Sequence, residues 1–137
     1  MIIYSSTRSE FIDDIVNGVL DEKLESLMMS RFGHGTSESE LRAWRNSLTY
    51  MGNIIGSSSI PADAGIAIEY GIPYTSKRAD LIVTGLNESG RNAAVIVELK
   101  QWSSAEAVPG KDGVVRTVVG GGVHEVAHPS YQAWSYA

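Results

Sequence analysis

Three apolar, β-branched runs at 65–70, 79–84 and 93–100 follow one another closely in the second half of this chain. The links between them are short: Gly71-Ile-Pro-Tyr-Thr-Ser76 after the first and Leu86-Asn-Glu-Ser-Gly90 after the second. A parallel pair needs a crossover of about a dozen residues or more, so these links predict an antiparallel meander. Side chains alternate along a strand. Glu69 is therefore expected on the face opposite Ile68 and Tyr70. Glu98 and Lys100, at the end of the third run, are expected on one face with Leu99 on the other.

The first part of the chain has a different period. Thr7-Arg-Ser-Glu10 is a capping-box pattern, and Phe11, Ile12, Ile15, Val16, Val19 and Leu20 recur at helical spacing behind it. Gly18 weakens or breaks that helix. Leu24, Leu27 and Met28 carry a helical face on to about Phe32, where Gly33-His-Gly35 ends it. Ser37-Glu-Ser-Glu40 opens a second helix, with Leu41, Trp44, Leu48, Met51 and Ile55 on its apolar side. The expected organisation is one domain over 1–137. Residues 1–56 form a helical N-terminal part, and 62–137 hold the sheet and the start of a further helix. Beyond Trp102, 114–119 and 123–126 read as a small β-ribbon around Gly120-Gly-Gly122. A helix then starts near His128, with Pro129 at its first position.

At 137 residues, 43% apolar and 20% charged, the chain reads as one soluble globular domain. No apolar run approaches the length of a membrane span, and Met1-Ile-Ile-Tyr4 lacks the features of a signal peptide. There is no cysteine, which excludes disulfides, thiolate zinc sites and a cysteine nucleophile and fits the cytoplasm. The net charge of −5 lies wholly in residues 1–40, where three basic residues face eight acids; the remainder is balanced. The chain lacks the basic excess of a protein that grips a long duplex by its phosphates.

Asp80, Glu98 and Lys100 are the strongest chemical candidates. Charges at the end of a buried strand are costly unless they pair or bind something. Mg²⁺ or Mn²⁺ takes oxygen ligands and keeps several waters, so Asp80, Glu98 and the Leu99 carbonyl suffice as protein ligands. Such an ion would acidify a bound water and neutralise a scissile phosphate. Lys100 would orient the attacking water or stabilise developing negative charge. The plain alternative is a surface hairpin carrying an ordinary Glu–Lys pair.

Gln132 and Tyr136, four apart, share a helix face and point either at that site or at a packing neighbour. His128 is either a phosphate contact or metal ligand, or a helix cap. Glu40 is either the acid of its capping box alone or also a neighbour of the metal, if its helix packs beside the sheet. Glu69 is either a further acid in the cleft or an exposed strand residue. Lys77 and Arg78 stand just before the Asp80 run, as phosphate contacts or as solvated turn charges. No Walker-type Gly-x-x-x-x-Gly-Lys-Ser/Thr pattern occurs. His34, His124 and His128 are too scattered for a zinc motif.

The order helix, strand, Asp80 strand, Glu98-Leu-Lys100 strand, then Gln132-x-x-x-Tyr136 helix resembles the PD-(D/E)XK nuclease superfamily, in particular its RecB-like branch. Four runs carry a closer resemblance: Leu41-Arg-Ala-Trp-Arg-Asn-Ser-Leu48, Thr75-Ser-Lys-Arg-Ala-Asp80, Val97-Glu-Leu-Lys-Gln-Trp102 and His128-Pro-Ser-Tyr-Gln-Ala-Trp-Ser-Tyr136. Together they look like the N-terminal region of bacterial DUF2075-type proteins, in which a nuclease-like domain precedes a helicase-like ATPase. The resemblance implies an α/β, restriction-endonuclease-like core: a mixed or antiparallel three-strand meander flanked by helices. It also implies an active-site triad of Asp80, Glu98 and Lys100 supported by Gln132, a DNA substrate and a helicase-like partner domain. Two features depart from the pattern. Ala79 stands where the naming proline would be, and the chain stops before a further core strand. The expectation is thus a C-terminally truncated domain whose sheet edge either a partner chain, as in a homodimer, or a swapped element could cover. The reading from a different class is a catalytically inactive nucleic-acid-binding module serving the helicase.

Overall fold

A computed structural model describes residues 2–33, 35 and 37–136. Met1 and His34, the latter in the expected helix stop, lie outside the described residues, as do Thr36 and Ala137. The fold is mixed α/β with antiparallel sheets, and the chain divides into two compact units, Met1–Val97 and Glu98–Ala137.

The first unit opens with strand β1 (Tyr4–Thr7), followed by helices α1 (Arg8–Val16), α2 (Leu20–Phe32) and α3 (Glu38–Ser57). Strands β2 (Gly65–Gly71), β3 (Arg78–Leu86) and β4 (Asn92–Val97) complete it. The sheet order is β1-β2-β3-β4, antiparallel throughout, so the meander inferred from link length is present.

The expected three strands are four, and the N-terminal part is not wholly helical, because Tyr4–Thr7 pairs with β2. A strand this short shows no period of its own. Its last residue, Thr7, also caps α1: its hydroxyl accepts from the Glu10 amide while its own amide donates to the Glu10 carboxylate at 2.8 Å. One residue serves both elements, and the capping signal masks the strand.

Gly18, in the left-handed region at φ 67°, separates α1 from α2. Gly52 lets α3 approach α1 closely, since a Cβ there would stand 2.4 Å from Ile15 Cδ1. Arg8 clamps the C-terminal end of α3, donating to the Ile55 carbonyl at 3.0 Å and the Gly56 carbonyl at 2.9 Å. The last carbonyls of a helix lack the usual amide donors and favour a cation; the Ser58 hydroxyl also donates to the Ile55 carbonyl, at 2.7 Å. Phe11, Leu24, Ile55, Ile66, Ile68 and Leu81 form the fully buried centre. The expected periodicities, helical for the first three and alternating for the last three, put those residues there.

The third run was expected to remain a strand to Lys100, but β4 ends at Val97, opposite Leu81. Glu98-Leu-Lys100 belongs to the second unit. There Glu98 pairs with Lys100, its same-face neighbour, and also with Gln132, a partner that strand alternation does not supply.

The second unit holds a small antiparallel sheet of β5 (Glu106–Ala107), β6 (Val114–Val119) and β7 (Gly122–Ala127), and helix α4 (Pro129–Trp134). The β6–β7 ribbon is the expected one; β5, two residues long, is an addition. Thr117 is buried and donates to the Ser104 carbonyl at 2.7 Å. The His128 amide donates to the Gly113 carbonyl at 2.8 Å, tying the start of α4 to the turn before β6. Among the described residues no helix is long and apolar enough to cross a membrane.

Candidate functional site

Two groups of polar side chains stand out, one in each unit.

In the second unit Glu98 lies at the centre. Its side chain is only 3% exposed. Lys100 Nζ donates to Glu98 Oε1 at 2.6 Å, and Gln132 Nε2 donates to the same oxygen at 2.5 Å. The second Gln132 amide hydrogen goes to the Tyr136 hydroxyl at 2.8 Å. Thus Glu98, Lys100, Gln132 and Tyr136 lie together, and Gln132 and Tyr136 share one side of the last helical turns, as their spacing of four predicts. The other carboxylate oxygen, Oε2, is buried without a hydrogen-bond partner, the one such side-chain atom among the described residues. Burying an acceptor in this state costs about 1–3 kcal/mol, more when it is charged. Leu99 lies half-buried between the two charged residues. His128 caps α4: its Nδ1 accepts from the Ser130 amide at 3.1 Å, so the helix-cap alternative describes it.

In the first unit the centre is Glu69. Trp44 Nε1, from α3, donates to Glu69 Oε1 at 3.0 Å, and Arg78 pairs with Glu69 Oε2 at 3.2 Å. Asp80 stands on β3 and Glu69 on β2, each between the paired positions Ile68–Leu81 and Tyr70–Ala79. Glu69 does not simply alternate with its neighbours, as expected from the strand pattern. Its φ of 52° is left-handed, a conformation that costs a non-glycine residue about 1–3 kcal/mol and persists where the surroundings impose it. Burial pushes the Glu69 carboxyl above its usual range; Arg78 and Trp44 oppose this, and the negative charges of Asp80 and Glu40 add to it. Glu40 sits in the first turn of α3 beside its cap Ser37, whose hydroxyl accepts from the Glu40 amide. Lys77 is exposed in the turn before β3.

Sequence reasoning misses Trp44, whose helical spacing speaks only for the apolar face of α3. The indole N–H is the one polar handle on that face, and it was the available signal.

Among the described residues, no group of three or more His, Asp or Glu side chains forms a ready metal cage. The donor set suits an ion that retains much of its water. Glu98 offers a hard, buried, unpartnered oxygen, and one or two carboxylates are what Mg²⁺ takes from a protein. Comparison with family models, with curated proteins and with solved structures gives no match to this chain.

Proposed function

We propose that this chain is a metal-dependent nuclease domain of the restriction-endonuclease-like kind, hydrolysing phosphodiester bonds in DNA. The observation that carries the reading is the Glu98 carboxylate. Lys100 and Gln132 hold one oxygen, and the other is buried and unpartnered. An orphaned carboxylate oxygen is expensive to keep, and a hard cation is the ligand that best offsets it. The sequence motifs support the same reading and point to a helicase-like ATPase as partner domain.

In this reading Glu98 would hold Mg²⁺ or Mn²⁺, with the Leu99 carbonyl as a further oxygen, and Asp80 is the second carboxylate that the sequence resemblance assigns to the ion. The bound ion supplies Lewis acidity toward water and phosphate oxygens. Gln132 fixes the orientation of Glu98, and Tyr136 fixes Gln132. Such outer partners commonly matter about as much as the ligands they orient. The Lys100 ammonium, held against Glu98, orients the attacking water and stabilises the charge that develops on the phosphate. Glu69, Arg78 and Lys77 are placed as accessory groups: an acid fixed by Trp44, and two cations for phosphate.

The test is cleavage of DNA with Mn²⁺ by the wild type, Asp80→Ala and Lys100→Ala. Loss of cutting in both variants, with circular dichroism unchanged, is expected. Cutting retained in both would overturn the mechanism. Absence of Mn²⁺ binding by a folded wild-type chain would favour the catalytically inactive binding module.

A further inference from the structure

The turn at 72–77 joins β2 to β3 and is tightly bonded. The Ile72 amide donates to the Lys77 carbonyl at 3.0 Å. The Ile72 carbonyl accepts from the Thr75 amide at 3.2 Å and from the Thr75 hydroxyl at 3.0 Å. The Thr75 hydroxyl in turn accepts from the Lys77 amide at 3.1 Å. Within this frame Pro73 and Tyr74 are the two central residues of a β-turn, and Tyr74 has φ 62°. Proline first and positive φ second is the type II arrangement, where glycine or asparagine is the unstrained choice at the second position. A tyrosine occupies it instead, and its side chain is fully exposed, so the ring adds nothing to the core. The backbone is strained to hold an aromatic ring out into water. Exposed Lys77 follows in the same turn, and Arg78 opens β3.

A flat ring followed in the chain by Lys77 and by Arg78, whose guanidinium also pairs with Glu69 at 3.2 Å, has a specific chemical complement. The ring offers a π-face to a base, and the cations suit the phosphates on either side. Bases inside a duplex are stacked and closed to such a ring. The net charge of −5 also disfavours a long duplex, whereas Lys77, with Arg78 shared between Glu69 and a phosphate, suffices for a short stretch of one strand. We propose that turn 72–77 grips a single nucleic-acid strand, with Tyr74 stacked on an unpaired base and Lys77 and Arg78 on its phosphates. This rests on the nuclease reading and narrows its substrate to DNA with unpaired bases.

The experiment is fluorescence anisotropy of a labelled oligothymidine, and of a duplex of equal length, in EDTA so that no cutting occurs. The wild type should bind the single strand more tightly than the duplex. Tyr74→Gly should weaken single-strand binding by roughly tenfold, as loss of one base–aromatic stack does. Its Tm should be unchanged or higher, because glycine relieves the backbone. Tyr74→Trp should retain the affinity, and Lys77→Ala should lower the slope of log affinity against log salt by about 0.7. Wild-type affinity in Tyr74→Gly, equal preference for duplex, or no binding by the wild type would each overturn the grip. Mn²⁺-dependent cutting of the same strand is scored separately. Cutting with affinity indifferent to Tyr74 overturns the grip and keeps the nuclease. Tyr74-dependent binding without cutting upholds the grip and overturns the nuclease.

Discussion

The indole of Trp44 donates to the carboxylate of Glu69 at 3.0 Å, fastening helix α3 to strand β2 through an acid that burial disfavours as an anion. The raised Glu69 carboxyl has a consequence for stability. Between the ordinary carboxylate range and the raised value, the folded chain binds more proton than the unfolded one. The Glu69 contribution is therefore most favourable below that window, declines as pH rises through it, and is constant above it. Glu69→Gln keeps an acceptor for Trp44 and removes the titration. Denaturant midpoints measured across mildly acidic pH should lose this downward slope in the variant and gain stability relative to wild type at neutral pH. A pH profile identical to wild type would show that Glu69 does not titrate differently on folding.

Gln132 donates to both Glu98 and Tyr136, so Gln132→Ala should release the carboxylate without removing it. Calorimetric titration of Mn²⁺ should show affinity reduced by about 10- to 100-fold, the usual effect of losing a partner that orients a ligand. Undiminished affinity would mean that the ion, if bound, does not use Glu98.

Asp14 is buried in α1 and accepts from the Tyr4 hydroxyl at 2.8 Å and from Lys23 at 2.6 Å. Burial, with the Asp14 charge adding, pushes the Tyr4 phenol well above its usual range, so it remains a donor in alkaline solution. Tyr4→Phe leaves Asp14 short of one donor. Urea denaturation should show a loss of about 1.5–3 kcal/mol, the usual value of a hydrogen bond to a charged group. A loss below half a kcal/mol would mean that water replaces the hydroxyl.

Gly113 and Gly121 separate two sources of strain in the second unit. Both have positive φ, at 74° and 82°. A Cβ on Gly113 would stand 2.9 Å from the Tyr131 ring, whereas one on Gly121 meets nothing within 4 Å. Gly121→Ala should cost only backbone strain, about 1 kcal/mol. Gly113→Ala should cost clearly more, because the ring must also move. Equal losses by thermal denaturation would show that Tyr131 yields freely.

The sequence by itself determined most of the elements. Short links dictated an antiparallel meander, capping boxes located the starts of α1 and α3, and Gly18 divided the first helical stretch. The spacing of Gln132 and Tyr136 placed them on one helix face, because helix period and loop length are local properties. Tertiary structure decided the rest. It added β1, whose four residues show no pattern until β2 lies beside them. It ended β4 at Val97 and gave Glu98 its partners in the second unit. It also brought Trp44 to Glu69, across 25 positions of sequence, and bent the Glu69 backbone into the left-handed region. Hydrogen bonds, burial and electric fields act through space between residues far apart in the chain. Which acid is orphaned, and which is held above its usual range, therefore became visible only once the chain was folded.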